Sequence, residues 1–414
     1  MEAAILDYRK RELSSFKLSA LFIICFIASS VGGTVSTLMS VYLPAVANEL
    51  RGSASTEKLN YISGYINSLF IFGWAVGGFF CGTISDRIGR KTSLLLAVLL
   101  YGAYPLLTAF MPSWPSLMLC RFMSGFGVGG VLVISFTFLS EVWPEKTKPI
   151  FTGILSIAFP IGIFSAGAIN YFVDSWRESF LIGVVPMLLA PAGYRLIDES
   201  QKWLVHKTCT NQEANQQKPL FDKENRKPLL TGALVFGTML IGLWAIFSWL
   251  PSWIQSLTLV DAPKERGLSM MVLGIGGLTG GFFSGWLVKI AGLRNSMITC
   301  FAVCSILSFI LFKTNSSFNT IIYLEIAVLA LFFGISQGIL SVYIPHLFPT
   351  AIRASATGFC FNAGRLFTAI AVLFVGVLLV SLKGYGNALF IFSLVFFLGL
   401  ITVLAVKNIQ VGSH

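Results

Sequence analysis

Three ionisable side chains stand inside long apolar runs: Arg121, Glu325 and Arg365. A charge in hydrocarbon is costly, so such residues pair, line a water-filled path or hold a solute. Arg121 lies about six residues into its run, roughly 9 Å deep, and Glu325 lies at a similar depth in its own. Arg365 lies about eleven residues in, roughly 17 Å, close to the middle of a bilayer. The guanidinium fork matches a carboxylate in two parallel hydrogen bonds, so the chemistry on offer at Arg365 is capture of a small organic anion. The bland alternatives are equally concrete. Arg121 reads as well as a structural tie, Arg365 as a tie to backbone carbonyls or to an acid, and Glu325 as a side chain reaching the outer interface.

Uncharged polar residues in the same runs extend the set. Asn67 and Gln337 would be expensive facing lipid, and Ser336 and Ser341 lie beside Gln337. Ser30, Thr34 and Thr37 share one helical face by their i, i+4, i+7 spacing, which suits a cavity wall or helix packing alike. Trp244, Phe247, Trp249 and Trp253 form an aromatic group that reads as an interface belt or as a solute wall. If the solute is instead a neutral sugar or polyol, Asn67, Gln337 and Asn362 supply its hydrogen bonds. The seven cysteines form no CxxC pair, and the three histidines are far apart, so no metal site, disulfide framework or cofactor is expected. There is no Ser/His/Asp set and no phosphate-binding loop, which argues against an enzyme and against ATP-driven transport.

The elements that must position these residues are membrane helices. Hydrophobic residues make up 55% of the chain and charged residues 11%, too few charges to cover a soluble globule of this size. A ruler of about 20 apolar residues per span gives twelve spans. They are expected near 18–46, 59–83, 92–111, 115–142, 149–172, 179–197, 229–253, 266–288, 296–313, 319–344, 354–380 and 387–406. The fold class is therefore an all-α membrane protein of about twelve helices in two pseudo-symmetric six-helix bundles. The expected boundaries are 1–204 for the first bundle, 205–228 for a polar cytoplasmic linker and 229–414 for the second bundle.

The net charge of +11 is topological and does not point to nucleic acid. With the N-terminus in the cytoplasm, 20 of the 29 Lys and Arg fall on the inner side and seven on the outer, apart from Arg121 and Arg365. Both termini are thus expected to be cytoplasmic. The polar stretch from Met1 to Lys17, with no cleavage-like site after the first apolar run, makes that run a permanent span. The two halves echo each other. Gly77-Gly78-Phe79-Phe80-Cys81-Gly82 returns as Gly280-Gly281-Phe282-Phe283-Ser284-Gly285, and Gly89, Lys91 and Ser93 return as Gly292, Arg294 and Ser296. Pro144, Lys148 and Gly153 are spaced like Pro349, Arg353 and Gly358. Parallel repeats of this kind hold solute near the midplane between them.

Gly82-Thr83-Ile84-Ser85-Asp86-Arg87-Ile88-Gly89-Arg90-Lys91 resembles the signature loop of the major facilitator superfamily. Arg121 to Gly130, Glu141 to Lys148, Trp176 to Phe180, Asp198 to Leu204, Leu347 to Arg353 and Asn362 to Arg365 resemble motifs of its sugar porters and metabolite:proton symporters, including organic-acid carriers. The likeness covers essentially the whole chain. It implies secondary transport of a small-molecule solute by alternating access, here most simply proton-coupled uptake of an organic anion, by a monomer in a bacterial inner membrane. The other readings are a sugar or polyol carrier and a non-transporting receptor. The short tails at both ends weigh against the receptor. The resemblance also implies a cytoplasmic gate built from Gly82, Asp86, Arg87, Gly89, Arg90, Lys91, Glu141, Glu199 and Arg353. In it, Asp86 faces a helix N-terminus of the other half, where a carboxylate meets a positive dipole.

The chain departs from the pattern in three places. Lys148 stands where the usual arginine closes the fourth-span motif. Lys289 replaces the aspartate in the second loop copy. The first span, from Ser29 to Thr37, lacks the aspartates that proton-coupled organic-acid carriers usually show there. The fifth span, with Ala158-Phe159-Pro160-Ile161-Gly162, lacks the Gly-Pro pattern of exporters, which favours uptake.

Overall fold

A computed structural model describes residues 15–50, 56–209, 221–258, 260–349, 352–382 and 384–405. Most of the expected linker, residues 210–220, and the terminal basic residues Arg9, Lys10, Arg11 and Lys407 lie outside the described residues. Both ends of the expected linker are helical: one short helix runs Gln201–Cys209, and the next long helix already begins at Lys223.

Among the described residues, twelve helices are long and apolar enough to cross a membrane. They are α1 (Ser15–Glu49), α2 (Lys58–Ile88), α3 (Arg90–Thr108), α4 (Trp114–Val142), α5 (Ile150–Phe172) and α6 (Trp176–Leu196) in the first half. The second half has α7 (Lys223–Ser256), α8 (Pro263–Ala291), α9 (Leu293–Thr314), α10 (Ile321–His346), α11 (Ser355–Ser381) and α12 (Tyr385–Ala405). Several helices overrun the expected spans because a helix can continue past the hydrocarbon into the headgroups and water. In α5 the helix is interrupted at Ile157. Pro160 explains this, since it offers no N–H to the carbonyl of Ser156.

The sequence echo is a packing echo. Within the first half, a Cβ at Gly77 would stand 2.0 Å from the Phe126 carbonyl of α4. Within the second, a Cβ at Gly280 would stand 1.9 Å from the Leu331 carbonyl of α10. Only glycine admits such backbone approach, which is how membrane helices gain contact where lipid removes the hydrophobic drive. The loop between α2 and α3 and that between α8 and α9 repeat as well, with left-handed Gly89 (φ 106°) and Gly292 (φ 78°).

Candidate functional site

Carboxylates hold the loop between α2 and α3. Glu199 Oε1 accepts from the backbone N–H of Arg90 at 2.8 Å and of Lys91 at 3.0 Å. It thus caps the start of α3 from beyond α6. The Arg90 guanidinium meets Asp86 Oδ1 at 2.5 Å, Glu141 Oε1 at 2.8 Å and Ser85 Oγ at 2.8 Å. Ser200 Oγ donates to Glu141 Oε2 at 2.5 Å, and Trp203 Nε1 donates to the Asp86 carbonyl at 2.8 Å. Lys17 pairs with Asp198 nearby. The Lys91 ammonium stands 4.8 Å over the Tyr194 ring. Gly82 has only Val133 near the place of a Cβ, and Arg87 is exposed. In the second half, Arg353 Nε donates to the Phe348 carbonyl at 3.2 Å.

This network lies within the first half. The resemblance places Asp86 opposite a helix N-terminus of the second half. Here Asp86 pairs with Arg90 of its own half, with its side chain 67% exposed. The physical reason is that the halves stand apart on this face, as the glycines show. A Cβ at Gly167 of α5 would stand 2.5 Å from the Gly267 carbonyl of α8, and one at Gly376 of α11 would stand 2.8 Å from the Asn60 carbonyl of α2. Those contacts lie at the face away from the Gly82–Lys91 loop. Gly281 and Gly285 continue the same α8 surface by helical spacing toward the loop face, Gly358 does so on α11, and Gly153 lies on the loop-side piece of α5. A Cβ at any of these four would meet nothing within 4 Å. The far face is closed by backbone contact, and the loop face is open.

Hydrogen bonds close the far half without ion pairs between the halves among the described residues. Asn67 Nδ2 donates to the Ser248 carbonyl at 3.2 Å and Ser68 Oγ to the Ala369 carbonyl at 2.7 Å. Tyr385 OH lies 3.3 Å from Asn60 Oδ1.

At the midplane the two arginines differ. Arg121 is 1% exposed. It donates to the carbonyls of Val35 at 3.0 Å and Ser36 at 3.5 Å and stands 4.1 Å over the Phe70 ring. It ties α4 to α1. Arg365 is half-buried, 3.4 Å from Asn362 Oδ1 and 5.6 Å over the Trp74 ring of the opposite half. Among the described residues neither arginine has a carboxylate partner. Trp74 meets Trp244 edge-on at 5.1 Å and Phe159 at 5.5 Å. Phe247 and Phe333 continue that wall at 5.8 Å from Trp244 and 5.9 Å from each other. Gln337 is half-buried with its amide nitrogen unpartnered.

Three further candidates are engaged in local hydrogen bonds. Glu325 is four residues into α10, near the far face, and accepts from Asn315 Nδ2 at 2.7 Å. The helix begins at Ile321, later than the apolar run, so its depth is less than the sequence indicated. Thr34 is 3% exposed and bonds the Ser30 carbonyl at 3.2 Å. Its helix face packs on α5, where a Cβ at Gly162 would stand 2.6 Å from Thr34 N. Ser336 is fully buried and bonds the Phe333 carbonyl at 2.7 Å. Trp74, Phe159, Asn60 and Tyr385 were not singled out in the sequence. Trp74 lies three residues before the repeated Gly77-Gly78 pair, which was the one available signal.

Two six-helix halves closing on an arginine and an aromatic wall define a membrane transporter, not an enzyme. The chain belongs to the Major Facilitator Superfamily, whose family model matches residues 22–372. It is 27% identical to the niacin transporter NiaP of Acinetobacter baylyi, over 80% of this chain and 82% of that one. It is 25% identical to the cis,cis-muconate transport protein of the same organism, over 97% of each chain. In fold it is similar to the xylose transporter XylE from E. coli in an inward open conformation, with a TM-score of 0.80 at 18% identity, over 96% of this chain and 98% of that one.

Proposed function

We propose that the protein takes up a small planar organic anion across a bacterial inner membrane, as a monomer, with both termini and the Gly82–Lys91 loop cytoplasmic. The observation that carries this is Arg365, a guanidinium with no acid partner among the described residues, held over Trp74 between the two halves. A bound carboxylate would supply the missing charge through the fork, and the aromatic wall would cover a planar body. Two relatives are named for niacin and cis,cis-muconate, both planar carboxylic acids, which supports the reading. The proton that the resemblance implies finds no acid near the midplane among the described residues: the one deepest in a span, Glu325, is four residues into α10. A neutral sugar or polyol is the second reading, favoured only by the unpartnered amide of Gln337.

The test is Arg365→Lys, which keeps the charge and removes the fork. Nicotinate and muconate should bind the variant at least about tenfold more weakly, a loss of ~1.4 kcal/mol, while its yield stays near the parent's. Equal binding by parent and variant rules out Arg365 as the ligand. Stabilisation of the parent by sugars alone rules out the anion.

A further inference from the structure

We propose that this carrier is an anion exchanger: it crosses the membrane loaded in both directions, one organic anion leaving as another enters. The proposal rests on the anion reading and adds how the cycle is driven. The partners of Arg365 are the Asn362 amide oxygen and the Trp74 ring, both neutral. The other buried midplane charge is Arg121, which has the same sign.

The carboxylates that could come to Arg365 are engaged elsewhere. Glu141 is held by Arg90 and Ser200, Glu325 by Asn315, and Glu49 by Arg177 at 2.8 Å. Each stands near a helix end, and no histidine lies near the midplane in sequence. An arginine does not shed its proton to escape burial. The guanidinium therefore stays charged through the whole cycle.

Closure of the loop face would seal that charge from water. Arg365 sits on α11 between Gly358, which is open, and Ala369, which is already bonded across the halves by Ser68. Drawing α11 onto α2 along this line places Arg365 inside the seal. With a carboxylate bound, the seal encloses a pair. Without one, it encloses a cation that lacks the backbone carbonyls Arg121 has and finds only Asn362 and an aromatic wall beside it, which is disfavoured. The loaded carrier crosses readily and the empty one is slow, and that is the kinetic definition of exchange. No midplane group changes its proton between the two states, so a pH gradient does not drive the cycle.

The full chain, purified and reconstituted in lipid vesicles, tests this with labelled nicotinate, benzoate and cis,cis-muconate outside. Vesicles hold either the same anion unlabelled or buffer alone, with and without an acid-outside pH gradient. For at least one anion, entry into filled vesicles should exceed entry into empty ones at least about 50-fold and be indifferent to the gradient. Comparable entry into empty vesicles, or entry that rises with the gradient, overturns the exchanger and leaves the anion reading standing. Binding of the anions, seen as thermal stabilisation, without any movement overturns it too. If none of the three anions moves or stabilises the protein, the anion reading falls and the exchanger with it.

Discussion

The Glu199 carboxylate occupies the space that a side chain at residue 89 would need. A Cβ on Gly89 would stand 2.2 Å from Glu199 Oε2, while Oε1 caps the first N–H groups of α3. Turn and cap are therefore one device, joining the α2–α3 loop to the segment after α6.

Gly89→Ala should cost about 2–4 kcal/mol, combining a left-handed non-glycine residue with a displaced cap. Thermal melts of the purified protein measure it. In the double variant with Glu199→Ala the two losses should overlap by about 1 kcal/mol, because the carboxylate no longer competes for the space. Strict additivity would show that they do not share it.

Arg121 ties α4 to α1 through the carbonyls of Val35 and Ser36, and we propose that it does not bind the anion. Arg121→Leu should destabilise the protein by about 1–3 kcal/mol, through the loss of its hydrogen bonds to the carbonyls of Val35 and Ser36. Nicotinate should still raise the melting temperature by as much as it does in the parent. A variant of normal stability that has lost this response would make Arg121 part of the anion site.

The open glycines on the loop face should be tolerant in the state seen and intolerant in transport. A Cβ at Gly281 would meet nothing within 4 Å, so Gly281→Trp should leave stability near the parent's. It should slow transport at least about tenfold by propping the face open. Gly267→Trp, whose Cβ would stand 2.7 Å from the Gly167 carbonyl, should instead reduce folded yield. Normal transport by Gly281→Trp would show that this surface never closes.

Asp86→Asn should bias the carrier toward the open loop face, since the carboxylate no longer favours the closed one. A cysteine placed at Gly358 should then react faster with a water-soluble thiol reagent, by roughly two- to fivefold, the weight of one charge at a helix end. An unchanged rate would remove Asp86 from the gate.

Spans, repeats and the loop were legible because hydropathy and glycine spacing are local properties of a chain. The lateral order of helices was not, since a lipid-facing side and a packed side are both apolar. Nothing along the chain marks Val35 and Ser36 as the acceptors for Arg121, 86 and 85 residues away, because they act through carbonyls that every residue possesses. Trp74 was passed over for the same reason: a tryptophan in an apolar run is unremarkable until the opposite half sets an arginine over it. Glu325 was placed too deep because the apolar run starts before the helix does. Asp86 was expected across the halves because the resemblance describes a closed face, and this face is open.

The second loop copy solves the same turn with opposite chemistry. Arg294, at the position of Lys91, donates to the carbonyls of Val403 and Leu404 at 3.4 and 2.9 Å, fastening α9 to the last turn of α12. The second half is thus locked by residues of the last described turn of α12. A fluorescent or affinity tag appended after Ala405 leaves that lock in place. A version cut at residue 402 loses both acceptors at once, and its second half should loosen while the first, held by Glu199 and Glu141, keeps its shape.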